Sequence, residues 1–250
     1  FLFAPAAGAA TSPPSADGES PAEVQRKTSR PLGANPLTQF ECPSQPVLNL
    51  QIEISGISAD NSAYTCIMED KIMNITVYLG ANEGREPALK TAVCELGTWI
   101  GEHGHTLVYG GSRVGLMGAV AASTLAAGGK VIGVEPRFFI EQELQLDGLT
   151  ELIVTKDMTE RKTKMIELGD AFIAFPGGTG TLEEIAEVMS KVSLGQLDAP
   201  CILYDLNGYY DSLKALLAKM IEKGLSTPQR QQGIRFAANL EEITTILNKA

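Results

Sequence analysis

From Met73 onward the chain alternates between short unbroken apolar runs and longer stretches in which apolar residues recur every three or four positions. The short runs predict strands over 75–79, 106–109, 130–134, 151–154, 171–175, 201–204 and 234–236. The longer ones predict helices over 86–103, 114–127, 138–144, 159–168, 181–194, 209–223 and 240–248. A strand that is apolar on both faces suits the middle of a parallel sheet. Strict alternation with short connections implies right-handed crossovers with helices on both sides. The expected fold is α/β, a doubly wound parallel sheet in a single domain over residues 73–250.

The pattern fades before Met73. Residues 1–45 are rich in Ala, Pro, Ser and Gly with almost no apolar period, a composition that buries too little surface to offset the entropy of ordering. Residues 46–57 alternate better, through Val47, Leu48, Leu50, Ile52 and Ile54, and read either as an edge strand or hairpin or as non-native upstream sequence. Residues 1–70 are therefore expected to be a disordered or non-native leader, with Met68 or Met73 a natural first residue.

Composition narrows the function classes. A formal charge of −10, with no long basic block, argues against broad affinity for nucleic acid or an anionic membrane. The cysteines Cys42, Cys66, Cys94 and Cys201 are too widely spaced for a zinc pattern, and His103 and His105 are the only histidines. No metal site is expected, and the thiols are expected to be free in a reducing compartment, with Cys94 and Cys201 in the core. No apolar run reaches the roughly 18 residues of a membrane span, so a soluble, cytoplasmic protein is expected.

The chemistry concentrates in residues 171–184, where an apolar strand breaks at Pro176 into a glycine turn that opens a helix. Gly177, Gly178 and Gly180 leave backbone N–H groups open to a ligand, and Thr179 and Thr181 add hydroxyls where a helix N-terminus favours an anion. A phosphate suits that place. Glu183 and Glu184, expected in the first helical turn, would repel a phosphate set against them, so an uncharged group should lie between. Glu184 follows Thr181 by three residues and shares its face, one sugar-length from the anion.

Ligands of open parallel sheets bind beyond the carboxyl ends of the strands. Two further glycine loops belong there: Gly80 to Asn82, and residues 110–118, which carry Gly110, Gly111, Ser112, Gly115 and Met117. The second loop partly matches a dinucleotide fingerprint, with Glu135 ending the next strand where a ribose-binding acid would stand. Ser112 occupies the middle glycine position and the loop follows the second strand, which argues against nicotinamide chemistry. Neither glycine turn has the Lys-Ser/Thr pair of a triphosphate site. In residues 157–164, Arg161, Lys162 and Lys164 open a helix whose dipole opposes them, so they answer a negative charge elsewhere. Arg161 and Lys164 share a face, which lies beside the Pro176 turn if the fourth and fifth strands are neighbours. The plainer reading is a solvated basic turn paired with Glu160 and Glu167.

Together, residues 110–118, 158–162 and 176–184 resemble the signature set of the Lonely Guy family, the cytokinin riboside 5'-monophosphate phosphoribohydrolases once labelled lysine decarboxylases. The resemblance covers nearly all of residues 73–250, including 207–211. It implies a Rossmann-like sheet, a homodimer or an assembly of dimers, no cofactor, and release of free base and ribose 5-phosphate from a nucleoside 5'-monophosphate. It places the catalytic arginine on Arg161, the catalytic glutamate on Glu184 and the phosphate turn on Gly177, Gly178, Gly180 and Thr181, with Thr179 and Lys162 beside them. Gly80, Asn82, Gly110, Gly111, Ser112, Gly115 and Met117 are then the pocket loops. Thr159, Ser112 and Ala81 stand where the family often has His, Gly and Ser.

The residues and the resemblance agree on chemistry. An N-glycosidic bond breaks through an oxocarbenium-like state that a carboxylate stabilises. Glu184 suits that role; Arg161, fixed in charge, clamps rather than donates a proton. The group that protonates the leaving base is unassigned. A non-catalytic nucleotide-binding or sensing module is the alternative, and it would not need Arg161 and Glu184 jointly. Met117, Arg137, Phe138 and Phe139 are candidates for reading the base. The apolar helices at 114–127 and 181–194 add to the expectation of a homodimer.

Overall fold

The computed structural model describes residues 71–142 and 144–249, so the expected leader and the 46–57 strand lie outside the described residues. Seven strands form one parallel sheet: β1 (Asn74–Tyr78), β2 (Thr106–Tyr109), β3 (Lys130–Pro136), β4 (Glu151–Thr155), β5 (Ala171–Ala174), β6 (Cys201–Tyr204) and β7 (Ile234–Ala237). The helices between them are α1 (Pro87–Glu102), α2 (Gly115–Ala126), α3 (Arg137–Ile140), α4 (Met158–Leu168), α5 (Thr179–Ser193), α6 (Asp211–Glu222) and α7 (Leu240–Leu247). The doubly wound reading holds. Every expected strand and helix exists, although α3 has only four residues and β3 continues through Glu135 to Pro136.

The strand order is β4-β3-β2-β1-β5-β6-β7. The chain winds outward from β1 to β4, returns to the other side of β1 at β5, and winds outward again. The direction reverses between β1 and β5, which opens a crevice between the loops that leave them. Strands β4 and β5 are thus not neighbours, against the condition set for Arg161 and Lys164. Helix α4 must instead cross beneath β3, β2 and β1 to join them, and the Thr76 hydroxyl on β1 donates to the Met165 carbonyl at 3.1 Å on the way.

Each face of the sheet has its own core. Leu96, Ile100 and Val120 pack with Ile75, Leu107 and Phe175 on one face; Met165, Ile185 and Val188 pack with Val108, Val134 and Phe172 on the other. Helix α2 is buried against α1 within the same chain. A Cβ on Gly97 of α1 would stand 2.5 Å from the Val120 carbonyl oxygen, and one on Gly101 2.7 Å from that of Thr124. The apolarity of α2 therefore answers an intrachain contact and gives no support to a dimer.

The cysteine expectation needs correction. Cys201 is free and buried, but Cys94 is disulfide-bonded. Wide spacing in sequence argues against a zinc pattern without limiting which sulfurs meet in space. Among the described residues, no helix is long and apolar enough to cross a membrane.

Candidate active site

Helix α5 begins at Thr179, two residues earlier than expected, so Glu183 and Glu184 stand in its second turn. Gly178, Thr179 and Gly180 are exposed at its N-terminus, whereas Thr181 and Glu184 are buried on one face. A Cβ on Gly177 would collide with the Thr181 hydroxyl, while one on Gly178 or Gly180 would meet nothing within 4 Å. The turn is thus tight where it folds against its own helix and open where an anion would approach. Gly80 lies across the crevice, its Cβ direction 3.9 Å from the Gly178 nitrogen; Asn82 is exposed nearby in the chain.

Arg161 reaches the same place from the opposite side. Asp157 caps α4, its Oδ1 accepting from the Glu160 N–H at 2.9 Å, and Glu160 accepts from the Lys156 N–H at 2.8 Å. The capped start offsets the cost of cations in the first turn. One turn in, Arg161 is 4 % exposed; its Nε donates to the Val134 carbonyl at 3.0 Å and its Nη1 to Glu184 Oε1 at 2.5 Å. A side chain at Gly110 would strike Nη2, and Met117 Cε packs on the same spot. The first glycine of the second loop is therefore the space Arg161 occupies.

Burial pushes the Glu184 carboxyl up from its ordinary range, and Arg161 pulls it back. Only the guanidinium makes an ionised carboxylate tolerable there. Lys162 is arranged differently. Its Nζ lies 2.5 Å from Glu183 Oε1 and 3.4 Å from Glu187 Oε2 at the surface, and the hydrogen bond to Glu183 raises its pKa. Lys164 pairs with Glu167 at 3.3 Å, as the plainer reading of that turn had it.

The second loop is held by its own polar groups. Ser112 bridges to Gln145 through the backbone, and its hydroxyl accepts from the Val114 N–H at 3.2 Å. Gly115 has φ +59°, and a Cβ there would collide with the Ala81 carbonyl, so the first and second loops press together. Arg137 and Phe138 are exposed and Phe139 is half-buried on α3.

Three tyrosines stand at the site beyond the expected site residues, two of them within 207–211. Tyr78 ends β1, and its phenol is pushed up by burial first and then by Glu184. The Tyr210 hydroxyl donates to the Phe175 carbonyl at 2.9 Å, and that of Tyr209 donates to the Gly177 carbonyl. The last two pin the Pro176 turn from outside. A signal existed in Asn207-Gly208 before them: Asn207 has φ 54°, the left-handed turn that such a pair favours, and it aims both rings at the turn.

The family of the chain is decided by its relatives. Residues 117–247 match a family model described as possible lysine decarboxylase. The chain is 38 % identical over 176 residues to the cytokinin riboside 5'-monophosphate phosphoribohydrolase LOG1 of Arabidopsis thaliana, covering 70 % of this chain and 83 % of that protein. The chain belongs to the Lonely Guy family. It is also 41 % identical over 169 residues to the cytokinin riboside 5'-monophosphate phosphoribohydrolase of Rhodococcoides fascians, with 67 % and 85 % covered. The molybdenum cofactor carrier protein of Chlamydomonas reinhardtii shares the fold, with a TM-score of 0.53 at 21 % identity and 72 % and 98 % covered. The segments that carry the Lonely Guy resemblance thus meet at one crevice.

Proposed function

We propose that this Lonely Guy chain hydrolyses the N-glycosidic bond of a purine nucleoside 5'-monophosphate, AMP or a cytokinin-type nucleotide, to free base and ribose 5-phosphate. The observation that carries this reading is the buried Arg161–Glu184 pair, 2.5 Å long, beside an open turn of backbone N–H groups. The phosphate binds at Gly177, Gly178, Thr179, Gly180 and Thr181. Ribose then lies over Glu184, and the base extends toward Gly110, Ser112 and Met117. As the bond to the base lengthens, positive charge develops at the sugar and the Glu184 carboxylate stabilises it. The same carboxylate orients the water that completes the hydrolysis. Arg161 offsets part of the burial that disfavours the Glu184 charge and holds the carboxylate in place, and its own charge is fixed. The Tyr78 phenol, kept protonated by burial, feels the charges of both members of this pair.

Incubation with a panel of nucleoside 5'-monophosphates, nucleosides and triphosphates, followed by chromatography for base and ribose 5-phosphate, tests the proposal. Only monophosphates should turn over. Equal turnover of adenosine and AMP would overturn the phosphate assignment, and tight binding without turnover would favour a sensing module. No cofactor or added metal is required in this scheme, and loss of activity on chelation would argue against it.

We also propose an assembly and a compartment. The protein is a homodimer, supported by family membership and by Leu182, Tyr209 and Leu216, which are 44 %, 52 % and 50 % exposed around one groove beside the Pro176 turn; light scattering at micromolar concentration tests it. Its compartment is the cytoplasm, where nucleoside monophosphates are made and kept by their charge. Cell fractionation tests this against the oxidising compartment that the Cys94 disulfide would favour.

A further inference from the structure

One buried carboxyl has no part in the scheme above. Glu135 is the last residue but one of β3, one residue beyond the carbonyl that holds Arg161, and is 1 % exposed. Its Oε2 is buried without a hydrogen-bond partner, as is the Tyr109 hydroxyl. It lies directly behind the second glycine loop: a Cβ on Gly111 would stand 2.9 Å from Glu135 Cβ and 3.1 Å from Oε2. Arg161 Nη2 fills the place beside neighbouring Gly110. The guanidinium therefore contacts one buried carboxyl, Glu184, and lies near enough to a second, Glu135, to act on its charge.

We propose that Glu135 is a positioning residue for the hydrolysis, acting through Arg161: its charge state decides how much of the guanidinium's charge is left for Glu184 and the bound sugar phosphate. This rests on the phosphoribohydrolase reading. With Glu135 neutral, Arg161 and Glu184 balance and the crevice accepts an anion. With Glu135 ionised, two buried carboxylates share one cation and the site opposes the phosphate. Burial pushes the Glu135 carboxyl up to about 7, with Arg161 as the opposing influence. The titratable groups that act on its surroundings are Arg161 from α4, Glu184 across the guanidinium, and Tyr109 from β2, whose phenol is held protonated by burial and then by Glu135. Gln145, across the loop, is uncharged.

The test uses ribose 5-phosphate as probe, by calorimetry in buffers of different ionisation heat. By linkage, a ligand that favours neutral Glu135 makes the wild type take up a proton on binding, roughly half a proton per site just above pH 7. Phosphate ionisation works in the opposite direction, so uptake is diagnostic. Glu135→Gln keeps the shape and stays neutral; it should bind without uptake. Wild-type affinity should weaken several-fold more than that of Glu135→Gln as pH rises from about 6.5 to 8.5. No proton uptake by the wild type overturns the inference and needs no variant. Overlapping affinity profiles for the two proteins overturn it as well. Proton uptake without turnover of any nucleoside monophosphate would keep Glu135 as the control on phosphate binding and overturn the hydrolase reading, and with it the role in hydrolysis.

Discussion

Helices α4 and α5 meet through two ion pairs that are one residue apart on each helix and equally short, yet they belong to different physical regimes. Arg161–Glu184 and Lys162–Glu183 are both 2.5 Å long, but the side chains are 5 % and 7 % exposed in the first and 17 % and 60 % in the second. A surface pair is worth between zero and about 1 kcal/mol. A buried pair costs desolvation that its attraction scarcely repays, and apolar residues of the same volume often serve stability better. The inner pair is thus poorly explained by stability and fits the proposed chemistry; the outer pair marks the same helix contact where water reaches it.

The largest effect should come from breaking the inner pair. Glu184→Gln keeps size and hydrogen bonding but removes the charge that opposes an oxocarbenium, so turnover should fall by roughly a hundred-fold or more with AMP affinity little changed. Near-normal hydrolysis would refute the mechanism. Arg161→Ala should lose turnover and affinity together and lower stability by about 3 kcal/mol, since it strands a buried carboxylate. Urea unfolding should find less than about 1 kcal/mol for Lys162→Ala.

A gentler break leaves both charges in place and moves one. Because a Cβ at Gly110 would collide with Arg161 Nη2, Gly110→Ala should displace the guanidinium and cost roughly ten-fold or more in kcat/KM. Gly178→Ala, whose Cβ would meet nothing within 4 Å in the free protein, should fold normally and lose affinity for the phosphate instead. If kinetics show the same defect for both, the separation between clamp and anion turn fails.

Stability against pH sharpens the comparison from the buried side. The Glu135 carboxyl is raised to about 7 in the folded protein from an ordinary 4.5, so folding favours its protonated form. Its contribution is complete below about pH 4.5 and is lost as pH rises through 7. Chemical denaturation should show a decline of roughly 3 kcal/mol across that window, absent from Glu135→Gln. A flat wild-type profile would show that the group titrates normally.

What the sequence revealed follows from what is local. The strands from Ile75 to Phe236 announce themselves as apolar runs, and the Pro176 turn with Glu184 three residues past Thr181 is a short-range pattern. Strand order is not local: nothing in residues 151–175 says that β5 returns beside β1, so the route of Arg161 across the sheet is hidden, although that it answers a distant negative charge is legible. The sequence of helix α2 suggests a subunit contact because an apolar helix looks the same whether it is covered by α1 or by another subunit. The tyrosines that pin the turn were hidden for a related reason, since Tyr209 and Tyr210 act through carbonyls 32 and 35 residues away.

The smallest expected effect is also the control for the whole comparison. Glu183 points about 100° around the helix from Glu184, and its partner Lys162 is already engaged by Glu183 and Glu187. Glu183→Gln should change kcat and KM by less than about two-fold, because Lys162 keeps Glu187 and a screened surface charge couples weakly to the sugar. Reversing the outer pair, Lys162→Glu with Glu183→Lys, should keep the helix contact and most of the activity, although the carboxylate introduced on α4 then faces Glu187. Reversing the inner pair, Arg161→Glu with Glu184→Arg, should abolish turnover, since it puts a cation where the developing positive charge needs an anion. If the outer reversal also abolishes hydrolysis while the protein stays folded, Lys162 touches the phosphate directly and the boundary between the two pairs is drawn in the wrong place.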